Sequence, residues 1–497
     1  MSTSKTIAKN TLFLYFRMFL VMGVTLYMSR IVLDQLGVTD YGIYSLVGGI
    51  VAMFGFLNSS MSSATQRYLS FDLGKKDEKR LQKTFSATLS IHIVIAILIL
   101  LVAETLGLWY VNYKVVLPPD RLFAANVVYQ FSVLTALVGI IQVPYDSLII
   151  AYEKMNIYAY ISLVEVGLKL GLVFLLVIYG GDKLIAYAIM MFLVSLIIRI
   201  AYQIYCRKNY AASKFKFEYD KTYFKELISY SGWNLFGGIA SVSRSQGINI
   251  VLNLFFGTVV NAAYGLTLQV QSAVNQFVTN FQKAVNPQII KTYSEGNLAQ
   301  MHKLIIQSSK FSFLLMMLLV APILFNTEFI LNIWLKEPPE YTVVFVQLSL
   351  LGVLIDCISG PLIVAVQATG KIMRYQIIIG SLIILTLPLS VLWIYYGGDP
   401  KTVFYAILLI NILSFIFRLF FLKVLLNLNI LYFLKILIFR MLSVSFIVYG
   451  FFILLDQFNI ASGWINIMFS ILTTVTFVLI IGLSKSDYVL LRTFIKK

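Results

Sequence analysis

The chain has 497 residues, of which 59% are hydrophobic and 12% charged, and it carries a formal net charge of +17. About 25% charged residues is normal for a soluble domain, so half that share, with a mean hydropathy of +0.86, excludes an ordinary soluble enzyme. The same hydropathy excludes disorder and a soluble nucleic-acid binder, so no nucleic-acid partner is expected and the basic excess has to be read against a membrane.

A helix needs about 20 mostly apolar residues to cross a bilayer. Apolar runs, set against charged and Gly/Pro breaks, predict spans at 10–33, 41–63, 84–111, 122–150, 156–178, 184–206, 228–256, 260–286, 304–325, 341–368, 374–396, 402–422, 436–455 and 463–483. The first is too long for a signal-peptide core and is read as a retained span. The second, eighth and tenth are more polar than the rest, which puts the count at twelve to fourteen. Inside lipid every backbone amide must be satisfied locally, and the runs are too long for barrel strands. The fold class is therefore an all-α polytopic membrane protein of about 14 transmembrane helices.

An even number of spans puts both termini on one side. With that side cytoplasmic, most Lys and Arg fall on inside segments, as the positive-inside rule requires. The densest inside loops are 64–83, with Lys75, Lys76, Lys79, Arg80 and Lys83, and 207–227, with Arg207, Lys208, Lys214, Lys216, Lys221 and Lys225. They read as topology signals at an anionic leaflet. No loop is long enough for a soluble catalytic domain, and no G-x-x-x-x-G-K-[ST], H-E-x-x-H or G-x-S-x-G motif occurs, so no enzyme activity is expected. Two cysteines, Cys206 and Cys357, and two histidines, His92 and His302, cannot build a zinc cluster or a disulfide scaffold. No metal or cofactor is expected, a proton or sodium gradient apart.

Two stretches repeat in order. LGVTDYGIYSL at 36–46 aligns with FGTVVNAAYGL at 256–266, pairing Gly37 with Gly257 and Tyr44 with Tyr264. PYDSLIIAYEK in the fourth span aligns with PLIVAVQATGK in the tenth, pairing Pro144 with Pro361 and Lys154 with Lys371. Internal repeats of this kind are common in transporters. They imply six-span halves at 1–215 and 216–425, with residues 426–497 adding two further helices and a tail.

Polar residues inside the spans mark the functional surface. Ser45, Gly48, Ala52, Gly55, Ser59, Ser62 and Gln66 form a small, polar stripe along the second span, and Gln269, Ser272, Gln276, Thr279 and Lys283 form one along the eighth. Close helix packing also explains small residues, but not glutamine, so a water-filled cavity between the halves is expected. A charge in the bilayer faces a cavity or a partner. Arg17, Lys169 and Arg244 lie deep, Arg199 intermediate, and Arg30 near the outer end. Lys310 and Arg418 lie close enough to the inner surface to reach water. Arg244, in SVSRSQG, is the strongest candidate for the cavity. Lys169 has Glu165 one turn earlier, and an internal ion pair is the alternative there. Among the acids, Asp356 and Asp146 are placed to carry a coupling proton, with Glu165 a third candidate.

The stretches NTLFLYFRMF at 10–19, LGVTDYGIYSLVGGI at 36–50 and ATQRYLSFDLGK at 64–75 give the chain a wider likeness. It resembles the polysaccharide transporter branch of the multidrug/oligosaccharidyl-lipid/polysaccharide exporter superfamily, and Wzx-type O-antigen flippases in particular. That resemblance implies two six-helix bundles around a central cavity, alternating access, and a location in the bacterial inner membrane. It implies as cargo an undecaprenyl-pyrophosphate-linked oligosaccharide for lipopolysaccharide or other surface glycan, with a glycan polymerase among its partners. Arg17, Lys169, Arg244, Arg199 and Arg30, with Gln269 and Gln276, are then candidates to hold the diphosphate and sugar, since guanidinium forks suit phosphate oxygens. The drug-exporting relatives commonly use a carboxylate in the first span. Here that span has Arg17 and Arg30 and no acid before Asp34, which disfavours a cation-coupled drug exporter. A lipid II flippase is a closer alternative.

Overall fold

The protein is described here from a computed structural model, covering residues 3–52, 55–113, 118–216, 220–335, 337–457 and 463–483. Among these residues there are fifteen α-helices: α1 (Thr3–Ala52), α2 (Gly55–Lys75), α3 (Glu78–Val102), α4 (Leu108–Tyr113), α5 (Leu122–Ala151), α6 (Met155–Ile178), α7 (Lys183–Asn209), α8 (Lys221–Ser294), α9 (Leu298–Phe325), α10 (Thr327–Leu335), α11 (Thr342–Ala368), α12 (Met373–Tyr395), α13 (Thr402–Leu426), α14 (Ile430–Gln457) and α15 (Trp464–Phe477). Eleven are long and apolar enough to cross a membrane, by length and composition. They coincide with eleven of the fourteen predicted spans. The described parts of the other three, 41–63, 228–256 and 260–286, are helical as well. The chain is an all-α polytopic membrane protein.

The helices divide into two compact units, Ala8–Leu235 and a second made of Met1–Ile7 with Phe236–Lys497. In the first, α5 packs on α7, α2 and α3. In the second, α11 packs on α9 and α13, α12 on α13, and α14 and α15 on α9. Lipid is as apolar as leucine, so close packing and internal hydrogen bonds, not burial from water, hold such helices together within the bilayer.

Local geometry recurs at the offsets seen in the sequence. Gly37 breaks α1 at φ 72, ψ 170, and Gly257 breaks α8 at φ 80, ψ −170. Asp77 caps α3 by accepting from the Arg80 N–H, and Asn297 caps α9 by accepting from the Gln300 N–H. Before each cap stands a left-handed residue, Lys76 or Gly296. Tyr44 meets Tyr187 edge-on at 4.8 Å, and Tyr264 meets Phe404 at 6.2 Å.

Where the α1 kink meets the starts of α5 and α7, Arg121 spans two carboxylates. Its Nε donates to Asp40 Oδ1 at 2.8 Å and its Nη1 to Asp182 Oδ2 at 2.7 Å. Asp182, which also caps α7, is held below the usual carboxylate range by the Arg121 hydrogen bond. Deleting one partner of such a forked, half-buried cluster leaves unpaired charge behind. Arg121→Ala is expected to cost about 2 kcal/mol, seen as a lower Tm in detergent. Lys401→Ala, which removes an exposed pair with Asp399 at 3.3 Å, is expected to cost less than about 0.5 kcal/mol.

At the α2–α3 turn, Asp72 is fully buried, accepts from the Thr84 hydroxyl and pairs with Arg80 Nε at 3.1 Å. Burial nevertheless pushes its carboxyl up to about 6, outweighing Thr84 and Arg80. Tyr223 also meets Thr84, and Arg67 stacks on Tyr68 and Phe71 close by. A raised carboxyl binds its proton in the folded chain before the unfolded one, so stability falls as pH rises through this window. The fold is expected to gain about 2 kcal/mol between pH 7 and pH 4 from this group. Asp182 and Asp220, both held low, give back stability only below about pH 4. Thermal unfolding against pH should show the gain in the native protein and lose it in Asp72→Asn.

Candidate functional site

Each unit has an open cavity of its own, with polar groups in its lining. The one in the first unit is about 400 Å³. Its walls come from α1 (Tyr44, Gly48), α5 (Ser132, Thr135), α6 (Glu165, Lys169) and α7 (Ser195). Lys169 Nζ donates to Glu165 Oε1 at 2.6 Å. The ion pair thus forms, and it faces the cavity. Its charges cancel locally, so beyond an apolar lining that includes Val51, Phe131, Ile140 and Met191, what this cavity offers a ligand is the hydroxyls of Tyr44, Ser132, Thr135 and Ser195.

The second cavity, about 280 Å³, is built from α8, α11, α12 and α13. Arg244 on α8 donates from Nη1 to Asn411 Oδ1 at 3.0 Å. Asn411 on α13 donates from Nδ2 to Asp356 Oδ2 on α11 at 2.9 Å. Asn411 therefore stands between guanidinium and carboxylate, with both ends of its amide used. One turn and two turns further along the same face of α13 come Ser414 and Arg418, both lining the cavity. Arg418 is only 7% exposed. Its Nε meets the Tyr375 hydroxyl at 3.3 Å, while Nη1 has no hydrogen-bond partner. The hydroxyls of Ser414 and Ser359, also buried cavity residues, have none either. Buried polar groups are almost always satisfied. Three donors left over in the lining of one cavity, two of them hydroxyls and one on Arg418, with the Arg244 guanidinium beside them, form an environment suited to an anion with several acceptor oxygens.

Gln282 completes the wall. Its amide donates to the Cys357 carbonyl at 2.8 Å and to Ser312 at 3.1 Å. It lies so close over Gly360 that a Cβ there would sit 2.2 Å from its oxygen. Glycine at 360 leaves room for the Gln282 amide against α11.

Of the residues singled out from sequence, Arg244 and Asp356 share the second cavity, and Lys169 and Glu165 share the first. Arg17 is half-buried with its guanidinium 4.8 Å over the Tyr158 ring. Arg199 lies 4.3 Å over Tyr145 and donates to Gln203 at 2.8 Å. Asp146 accepts from Gln142 at 3.2 Å. Arg30, Gln269 and Gln276 are exposed and line neither cavity. From the stripe on the eighth span, Thr279 reaches the cavity, together with Asn275 and Gln282 from the neighbouring face. On the second span, Gly48 lines the first cavity; the side chains of Ser45, Ala52, Gly55 and Ser59 lie outside the described residues. Arg418, expected to reach water, is instead buried, and Asn411, Ser414 and Gln282 were not anticipated at all. The 0, 3, 7 spacing of Asn411, Ser414 and Arg418 in an otherwise apolar run was the available signal. Among the described residues, no three of His, Cys, Asp and Glu gather into a metal-sized group.

No curated protein matches the chain. Among solved structures it is similar to an outward-facing multidrug resistance MATE family transporter of the MOP superfamily, with TM-score 0.73 at 11% identity over 86% of this chain and 99% of that one. It is similar to MATE in the straight conformation, with TM-score 0.72 at 12% identity over 86% and 97%. A MOP superfamily transporter from Pyrococcus furiosus, described as having a binding pocket of reverse polarity, gives TM-score 0.69 at 12% identity over 86% and 98%. Identities this low speak for the fold alone. Residues 7–293 match the family described as polysaccharide biosynthesis protein, more than half of the chain, and the protein belongs to that family, in keeping with the polysaccharide transporter branch of the superfamily.

Proposed function

We propose that the protein is a flippase that carries an undecaprenyl-pyrophosphate-linked oligosaccharide from the cytoplasmic to the periplasmic leaflet of the bacterial inner membrane, for O-antigen or related surface polysaccharide. Both termini are then cytoplasmic, and the protein performs no covalent chemistry. The observation that carries this reading is the second cavity, where Arg244 and Arg418 stand beside unpartnered hydroxyls of Ser359 and Ser414. Guanidinium forks and hydroxyl donors match the oxygens of a diphosphate. Family membership supports a glycan as the rest of the cargo. The first cavity, with hydroxyls set among apolar side chains such as Phe131 and Met191, suits sugar better than phosphate, because Glu165 already cancels Lys169.

Coupling to a proton or sodium gradient belongs to the same proposal, with Asp146 or Glu165 as the carrier. Asp356 is a third candidate for a proton, and its two neighbouring guanidiniums oppose only a metal cation such as sodium.

The test is translocation of fluorescent undecaprenyl-pyrophosphate-linked glycan in proteoliposomes, with and without each gradient. Outward flipping of that lipid is the expected result. Flipping of lipid II in preference to other glycan lipids would reassign the cargo to a peptidoglycan precursor. Efflux of lipophilic cations, with no lipid flipping, would overturn the proposal in favour of a drug exporter, which the fold likeness to MATE transporters makes the second reading. In the native host, deletion should cause the lipid-linked glycan to accumulate on the inner leaflet.

A further inference from the structure

We infer that Asp356 is a built-in counter-anion, a carboxylate that stands in for the cargo's phosphate while the second cavity is empty and limits how tightly a diphosphate is held there. This rests on the reading of that cavity as the diphosphate site.

The charged residues of the cavity lining are Arg244, Arg418 and Asp356. Without Asp356 the empty cavity would hold two guanidiniums and no anion, and unpaired charge in a buried site is costly. With it, the excess is a single positive charge. The way the carboxylate is held matters more than its presence. A direct Arg–carboxylate fork would consume the donors on one edge of a guanidinium. Here Asp356 accepts instead from Asn411, and Asn411 accepts from Arg244. The carboxylate is thus fixed by a neutral amide, which leaves Arg418 Nη1 with no hydrogen-bond partner at all. Attraction is supplied across the cavity while donors are kept for a visitor.

A transporter must release what it binds. Binding energy that holds cargo equally through the whole cycle slows the step that lets it go. A fixed carboxylate opposes a bound diphosphate by charge repulsion and favours its departure. Asp356 is therefore a residue that sets affinity by lowering it, and removing its charge strengthens binding while slowing turnover. A residue needed only for structure would do neither.

Asp356→Asn keeps the shape and can still accept from Asn411. In the full chain, in nanodiscs of neutral phosphatidylcholine, this variant is expected to bind both inorganic pyrophosphate and undecaprenyl pyrophosphate about tenfold more tightly than wild type. Flipping at saturating lipid is expected to slow, and Asp356→Glu should stay near wild type in both. Tighter binding of inorganic pyrophosphate alone supports the counter-anion and overturns the lipid cargo, assigning the site to a free diphosphate. Unchanged or weaker binding of both ligands overturns the counter-anion, while the flippase reading stands if Arg418→Gln still loses binding. Wild-type protein that binds neither ligand overturns both. Should Asp356→Asn fail to insert, the same comparison is made within Arg244→Gln. There the added Asp356→Asn restores the native charge balance of the cavity, and the double variant is expected to bind about tenfold more tightly than Arg244→Gln alone.

Discussion

Arg418→Gln abolishes translocation while the protein remains inserted and folded: this is the largest effect the second cavity predicts. Three properties single out Arg418. It is 7% exposed, so water cannot substitute for it. Its one hydrogen bond, from Nε to Tyr375, is to a neutral group. Its Nη1 has no partner, beside two serine hydroxyls in the same state. A charge-assisted hydrogen bond to a desolvated phosphate is worth about 1.5–3 kcal/mol. Losing a fork of two therefore weakens diphosphate binding by about a hundredfold or more. Glutamine retains much of the volume and a donor for Tyr375, and it removes a buried charge that costs desolvation, so the fold should survive. Flipping measured beside membrane yield and Tm checks the result: full flipping by a well-inserted Arg418→Gln protein would remove the cavity from the mechanism. Arg244→Ala is expected to abolish translocation too. It also leaves Asn411 Oδ1 without its donor, so some loss of Tm should accompany it, and Arg418→Gln is the cleaner experiment.

The contrast between these two arginines shows what the sequence carried. Arg244 announces itself, because SVSRSQG is too polar for lipid. Arg418 sits among LSFIFRLFF, where judging by depth alone leads to a snorkelling side chain. Depth says how far a charge is from water, but not whether a cavity lies on its side of the helix. The face of α13 holding Asn411, Ser414 and Arg418 was legible as spacing, yet nothing in the spacing says that Asp356 of α11 lies opposite. The same limit applies to the eighth span. Its polarity was plain, but its rotation about the axis is set by packing on α9 and α11, through contacts such as Gln282 with Ser312 and Cys357. That rotation presents Asn275, Thr279 and Gln282 to the cavity in place of Gln269 and Gln276. Arg17 and Arg199 find tyrosine faces on other helices, partners that no one-dimensional pattern names. The helices themselves were legible because lipid leaves the backbone few alternatives.

The glycines of the internal repeat carry the second large effect. Gly257→Ala is expected to cost about 1–3 kcal/mol and to impair cargo binding, whereas Gly37→Ala is expected to cost as much without reaching the second cavity. Both glycines have positive φ with ψ near 180°, a region open essentially to glycine alone. A Cβ at either position would meet nothing within 4 Å. Any loss must then come from the backbone and not from crowding, which makes the experiment unusually direct. Gly23→Ala is the control. It too has open space and no positive φ, and alanine in a helix interior should stabilise by up to about 1 kcal/mol. The functional difference follows from position along the chain. Gly257 lies on α8 between Arg244 and the wall residues Asn275, Thr279 and Gln282. Straightening that bend moves the wall relative to the arginine, and a phosphate held by both loses one side of its site. Gly37 lies on α1 three residues before Asp40, the carboxylate that Arg121 grips. Straightening there pulls on the clamp, so Gly37→Ala and Arg121→Ala should be less than additive in Tm. Pyrophosphate binding should fall for Gly257→Ala and hold for Gly37→Ala. Equal loss in both would mean that the kinks act on folding alone and that the cavity does not depend on the geometry of α8.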